Sequence, residues 1–341
     1  MQRNILGALA LLSVPALASF PVVDEVAFSP AKGLNLTTTF DQVTNFTLTG
    51  QDVSITVGGE EQEQEPPEIG LEMDQSEHKV WTDSFEAVDD GGQATVLKRT
   101  YDELSSESVT TFTDPEGEEN VTEDEGESEL EGATVVFKWD GDDEEYSVAF
   151  DEKEEEGDED LLEELEFDAF LQGFLPSDDV SEGDTWDIEL DAFNQLSAPG
   201  GDLSIVEGDE EEDDDDFGDQ FEENLDGSIK GEYKGMRKED GVEYAVIFVS
   251  AELETTVEQD QDLPFEGVEG TSVGSYAFVL ELEGELLWNV QAGHAISFEF
   301  AGSLELEIEE ETKFEAPQVG EIVAIESRSM EGEIKIELSV E

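Results

Sequence analysis

Gly270-Thr271-Ser272-Val273-Gly274 spells the Gly-x-Ser-x-Gly pattern of a hydrolase nucleophile elbow, so acyl transfer is the first chemistry to weigh. Such an elbow needs a buried strand before the serine, a helix after it, and an acid and then a histidine further along the chain. Glu266-Gly267-Val268-Glu269 is no buried strand, Tyr276-Ala277-Phe278-Val279-Leu280 alternates like a strand, and His294 follows too soon. The pattern therefore reads as a Gly/Ser turn leading into a strand. Only His78 and His294 exist, which excludes a His-rich zinc site. His294 fits the start of a strand, and His78, between Glu77 and Lys79, reads as exposed. Asp140, Asp142 and Glu144 follow the first spacings of a calcium loop, but Glu145 stands where the turn needs glycine and no helices flank it. A carboxylate pair could hydrolyse a glycoside, yet among 94 acidic residues any fold brings acids together, so their presence selects nothing. Both Gly-rich phosphate patterns fail along the chain. No catalytic, cofactor-binding or metal residue is assigned, and no cofactor is expected beyond weak, non-specific divalent cations along Glu207–Asp219.

Any such residue would be carried by a framework whose character is set by an extreme composition. The 341 residues carry 94 Asp and Glu against 14 Lys and Arg, a formal net charge of -80. Nucleic acid and a bare anionic membrane are both polyanions that bind through Lys and Arg, so neither is an expected partner. Hydrophobic residues still make up 37% with 20 Phe, enough for a core, which argues against full disorder. Cysteine is absent, which removes disulfides, thiol catalysis and a lipid-anchoring cysteine.

Met1-Gln2-Arg3, the apolar run from Ile5 and Ala16-Leu17-Ala18 together have the parts of a cleavable secretory signal, with the cut expected after Ala18. Ile5 to Leu17 is 13 residues, well short of the roughly 20 a spanning helix needs. No later stretch is long enough without charges, so no membrane span is expected and the protein is placed outside the cytoplasm, secreted or periplasmic.

Apolar and β-branched residues alternate over 34–57, and strand patterns follow at 79–88, 93–101, 107–113, 133–139 and 145–151. Asp140-Gly141 marks a hairpin turn between the last two. Leu161, Leu162, Leu165, Phe167, Phe170, Leu171 and Phe174 recur at helical spacing, which predicts one long amphipathic helix near 158–172. Strand patterns resume at 184–193, 227–236, 242–256, 272–283, 285–291, 294–301, 303–309 and 321–340. The acidic stretches 114–131 and 207–219, the second with ten acids in thirteen residues, read as solvated, mobile loops. The expected fold is mainly β (α+β): two antiparallel β-rich halves of meander hairpins, 19–157 and 175–341, joined by a connecting helix at 158–174 after a signal peptide at 1–18.

Leu175-Pro176-Ser177-Asp178-Asp179-Val180-Ser181-Glu182-Gly183-Asp184-Thr185-Trp186 resembles the L-P-x-x-x-V-x-x-G-D-x-W signature of uncharacterised secreted and lipoprotein families of planctomycetes and Bacteroidetes, of the DUF6263-like kind. The resemblance implies a secreted β-rich fold and carries no activity. Physically the motif reads as structure: Val180 and Trp186 fill core pockets, Gly183 turns with positive φ, and Asp184 binds backbone amides of that turn.

The functional expectation is a secreted or periplasmic, highly acidic, non-enzymatic envelope protein, with a ligand-binding module left open. A carboxylate-pair hydrolase and an acidic, Ca²⁺-concentrating matrix protein stand as alternatives. Expected partners are counter-cations and a small or hydrophobic ligand that the residues do not name. The acids are spread through nearly every turn and outward strand position, which favours a solvated surface suited to brine over a dedicated cation sink.

Overall fold

The computed structural model describes residues 26–62, 66–89, 91–141, 145–151, 158–163, 165–167, 171–207, 216–239, 241–262, 270–316 and 320–341. The expected signal peptide lies outside them, as do Asp142 and Glu144 of the calcium-like spacing and residues 208–215 of the second acidic run. The protein is mainly β, 70% strand and 7% helix.

Among the described residues, fourteen strands form one large antiparallel sheet. The first half of the chain supplies β1 (Asn35–Val57), β2 (Glu60–Gln62), β3 (Gly70–Val88), β4 (Ala94–Thr113), β5 (Glu119–Ser128), β6 (Thr134–Asp140) and β7 (Glu145–Phe150). A connecting segment carries β8 (Thr185–Ile188), α1 (Asp191–Ser197), β9 (Ile205–Glu207) and α2 (Asp216–Glu223). The second half is a meander of β10 (Asp226–Glu239), β11 (Val242–Asp262), β12 (Gly270–Asn289), β13 (His294–Ala316) and β14 (Gly320–Val340). The strand order is β7-β6-β4-β3-β1-β14-β13-β12-β11-β10-β8, with β2 on β1 and with β5 between β4 and β9. The long strands of the two expected halves lie side by side in one continuous sheet. Its middle is made by the first and last long strands, where β1 and β14 run side by side from Thr38↔Val340 to Val57↔Ile322.

Each half of the ladder is amphipathic by alternation, because successive side chains leave a strand on opposite faces. Leu36, Phe40 and Phe46 of β1, Trp81 and Phe85 of β3, Leu280, Leu282 and Leu286 of β12, and Phe298, Phe300 and Leu304 of β13 are buried on one face. The intervening positions carry the acids to solvent, as at Glu281, Glu283, Glu299 and Glu305. The strands are longer than the sequence patterns suggested. Residues 272–291 and 294–309, each read as two strands, fall largely within single strands because Gly284 and Gly302 are not turns. A Cβ at Gly302 would overlap the Glu281 carbonyl oxygen, and one at Gly284 the Glu299 carbonyl, so glycine here permits close strand approach.

Over the described residues of 158–172 the predicted long helix does not form, and Phe170 of its stripe lies outside them. Asp158 caps a single 3-10 turn, Glu159–Leu162; Leu165 makes a β-bridge to Gly201; and Leu171 takes a left-handed φ of 61° before a second 3-10 turn, Gln172–Phe174. The reason is where the apolar residues must go. Phe167 packs its ring on Phe137 of β6 and Tyr146 of β7, while Phe174 packs on Phe298 of β13, and one straight helix face cannot serve both flanks of the sheet. The isolated helix offers little resistance to this, because a segment of that length is marginal without packing of its whole stripe. The helices fall elsewhere. Residues 191–197, where the sequence pattern pointed partly to strand, form α1, which buries Ala192, Phe193 and Leu196. The end of the second acidic run begins α2, where Phe217 and Phe221 meet Tyr276 and Phe278 edge-on.

The first acidic stretch is also corrected: 119–128 is strand β5, zipped onto β4 from Ser105↔Glu127 to Thr113↔Glu119. Asp114 closes the turn before it, its carboxylate accepting from the amides of Glu116 and Glu118 at 2.8 and 2.9 Å. An edge of unpaired backbone donors and acceptors templates a strand even where side chains have almost nothing to bury.

Candidate functional site

The 175–186 motif behaves as structure throughout its turn. Val180 is buried, Gly183 has φ of 93°, and Asp184 Oδ2 accepts from the Ser181 amide at 2.8 Å. The turn docks on β10 through Gly183 N to Tyr233 O at 2.8 Å and Tyr233 N to Asp184 O at 3.0 Å. Trp186 Nε1 donates to the Phe174 carbonyl at 3.2 Å, and its ring lies where a side chain on Gly231 would have to go.

Ser272 lies inside β12, opposite Thr312 of β13, with their hydroxyls 3.3 Å apart, so no strand-to-helix elbow presents it. His294 opens β13 and is buried, with Nδ1 2.7 Å from the Ala295 carbonyl. It pairs with Asn289 at the opposite end of the β12–β13 ladder from Ser272, so the two cannot form one site. His78 sits among acids instead. Its Nδ1 is 2.7 Å from Asp41 Oδ1 on β1, and its Nε2 is 3.3 Å from Glu103 Oε2 on β4. The hydrogen bond to Asp41 raises its pKa above 6.5, with burial opposing and Glu103 adding to the rise. Among the described residues no group of three or more His, Asp and Glu is placed to hold a metal ion. Among them, too, no helix is long and apolar enough to cross a membrane.

A groove of about 180 Å³ opens on the core-facing side of the first-half strands. Register builds it. Gln42 pairs with Glu77, and Glu77 with Ser106; one step on, Thr44 pairs with Gln75. Paired residues share a face, so two polar rows stand where the flanking rows are Phe40–Lys79–Leu104 and Phe46–Met73–Thr110. Ile205 of β9 forms an aliphatic wall, held there because β9 pairs with β5 from Gly126↔Glu207 to Ser128↔Ile205.

Two features make the rows more than a polar patch. Lys79, almost wholly buried, puts Nζ 2.7 Å from Glu77 Oε2 and 5.3 Å from the centre of the Phe40 ring, which fixes the carboxylate at the groove. Gln42 Oε1 is closed off from solvent and accepts no hydrogen bond from the described residues. Glu107 also borders the groove, but it pairs with Ser76, the alternate set to Glu77 and Ser106, so the two carboxylates leave their strands on opposite faces. Sequence reasoning missed all of these residues. Polar side chains at Gln42, Thr44, Gln75 and Glu77, in the inward register of Phe40 and Phe46, were the available signal.

No family model and no curated protein matches this chain. Among solved structures, that of Pseudomonas aeruginosa OccK2 (OpdF) in complex with glucuronate aligns over 89% of this chain and 97% of its own at 7% identity, with a TM-score of 0.11, too low to bear on fold or function.

Proposed function

We propose that the protein is a secreted or periplasmic, non-enzymatic module of the cell envelope that holds a small ligand against the inner face of its sheet. The observation that carries this reading is the groove between Gln42, Thr44, Gln75, Glu77 and Ser106 under Ile205, a concave site of converging polar groups on the core-facing side of the sheet. Hydrolysis by a carboxylate pair gains nothing from it: of the two carboxylates that border the groove only Glu77 points inward, and Lys79 already neutralises it. The secretory reading of residues 1–18 and the likeness of 175–186 to secreted families favour a place outside the cytoplasm for such a module.

The test has two arms. Expression with its own leader, followed by N-terminal mass spectrometry, is expected to find a chain beginning at Ser19 outside the cytoplasm; an uncleaved cytoplasmic chain overturns the location. Thermal-shift screening of the mature chain against sugars, amines, peptides and amphiphiles is expected to yield a saturating ligand that is recovered unaltered. Turnover of a glycoside that is lost in Glu77→Gln would replace the binding reading with the hydrolase.

A further inference from the structure

We infer that the outer edge of β5 takes an extended, Lys- or Arg-rich segment of another protein as an added antiparallel strand. Strand β5 has β4 along one side from Glu119 to Glu127, but on its other side β9 covers only Gly126 to Ser128. Among the described residues the outer backbone from Glu119 to Glu125 is therefore unpaired, and all seven of these residues are exposed. In an antiparallel pair alternate residues turn both N–H and C=O to the neighbour, so about three or four of them present both groups outward. The pairing of β9 shows that this edge accepts a strand, and in the antiparallel direction. An unpaired edge of ordinary strand length is a template on which an extended peptide gains main-chain hydrogen bonds.

Charge decides whose strand it is. Gly126 and Ser128 are buried, so the even positions of β5 face the core side and the odd positions face outward. Glu119, Glu123 and Glu125 stand on that outward face, with Val121, 55% exposed, between the first two. Among the described residues none of these three glutamates makes an ion pair, and the facing stretch of β4, Ser105 to Thr113, holds no Lys or Arg. They differ in this from Glu77, whose charge Lys79 already meets. Across strands, like charges directly opposite are destabilising and opposite charges stabilising. A second copy of this chain, at a net charge of -80, is thus turned away, and the sequence after β9, where Asp209 to Asp215 are all acidic, has the wrong sign as well. An incoming strand with cations at alternate positions sets each of them beside a glutamate, and a β-branched residue opposite Val121 meets an apolar neighbour. Backbone pairing supplies the attachment, and the charge pattern supplies the selection.

The test uses the mature chain, Ser19 to Glu341, and the capped peptide Lys-Thr-Lys-Thr-Val-Thr-Lys. In antiparallel register its lysines lie beside Glu125, Glu123 and Glu119 and its valine beside Val121. Hydrogen exchange of the outward amides within 119–125 is expected to slow by about tenfold or more at saturation. The concentration dependence of that protection reads affinity at this edge, apart from any peptide held elsewhere on the acidic surface. Lys-Thr-Lys-Pro-Pro-Thr-Lys carries the same charge but lacks two adjacent amide donors, one of which would face β5, so it is expected to protect the edge about tenfold or more weakly. Glu123→Lys/Glu125→Lys is expected to weaken protection by the peptide to a similar degree. Both side chains are exposed and the change relieves repulsion, so a melting temperature no lower than that of the wild type shows that the variant's fold is intact. Protection by the proline peptide equal to that by the first overturns the inference. So does a charge-reversed variant protected as well as the wild type, equal protection by Glu-Thr-Glu-Thr-Val-Thr-Glu, or exchange at 119–125 that the lysine peptide leaves unchanged.

Discussion

Arg99 is the most enclosed cation of the described residues, and its neighbours show how a chain short of cations uses one. Nε and Nη2 donate to the two oxygens of Asp83 at 2.9 and 3.0 Å, and the guanidinium lies between Trp81 and Phe137, 5.2 and 5.7 Å from their ring centres. Both members of the pair are fully buried, so removing one strands the other in a low-dielectric site. Arg99→Met or Asp83→Asn is expected to cost about 3–5 kcal/mol in urea unfolding. The double variant Asp83→Leu/Arg99→Met is expected to recover most of that loss, and a double variant as unstable as the sum of the singles would contradict the account. His78 works in the opposite setting, half exposed between Asp41 and Glu103. Its pKa is higher folded than unfolded, so its contribution is fully present below pH 6.5 and is lost as pH rises through the raised value. The melting temperature of the wild type is expected to exceed that of His78→Gln in mildly acidic buffer, with the gap closing as the buffer is made alkaline. A gap that widens with pH would reverse the assignment.

Among the strands and helices, length depends on glycines that look like punctuation. Gly302 lies in mid-strand against the Glu281 backbone, so Gly302→Ala is expected to destabilise by about 1–3 kcal/mol, the range of core overpacking. Gly218, exposed in α2 with nothing within 4 Å of where a Cβ would sit, is the counterexample. Gly218→Ala is expected to stabilise by up to about 1 kcal/mol through helix propensity alone. Chemical denaturation of the two variants side by side checks the contrast, and similar effects would mean that Gly302 is an ordinary strand position. The connecting segment shows the same dependence on surroundings: its Leu and Phe residues bind whichever strand lies beneath them, at the expense of helical regularity.

Across the molecule, charge is the dominant adjustable force. Register places acids opposite acids at Glu252↔Glu281, across Glu285↔Glu299↔Glu337, and at Glu305↔Glu331, and like charges facing each other across strands are destabilising. Screening relieves this more in the folded chain than in the expanded one. The melting temperature is therefore expected to rise from about 0.01 M to 1 M NaCl as the Debye length falls from roughly 30 to 3 Å. Glu305→Lys is expected to stabilise by about 0.2–1 kcal/mol at low salt, with the gain shrinking at 1 M NaCl. A flat or falling melting temperature would remove repulsion as the limiting force, and with it the brine-suited reading of the surface.

Residue pattern alone was enough for the mainly β character, the inward Leu36, Phe40 and Phe46 of β1, the hairpin at Asp140-Gly141 and the structural role of 175–186, because alternation and turn chemistry act over a few residues. Whatever depends on a distant partner had to wait for the folded chain. β5 is a strand because β4 offers it an edge; 158–172 is not a helix because its apolar residues must reach strands on both flanks; and 35–57 and 320–340 become one ladder because the first and last long strands meet. The groove belongs with these. Gln42, Glu77 and Ser106 are ordinary polar residues on three strands, and only the shared register of β1, β3 and β4 brings them onto one face beneath Ile205. Local periodicity carries no record of which strand lies alongside, so the face each strand buries was legible while the site assembled across the strands was not.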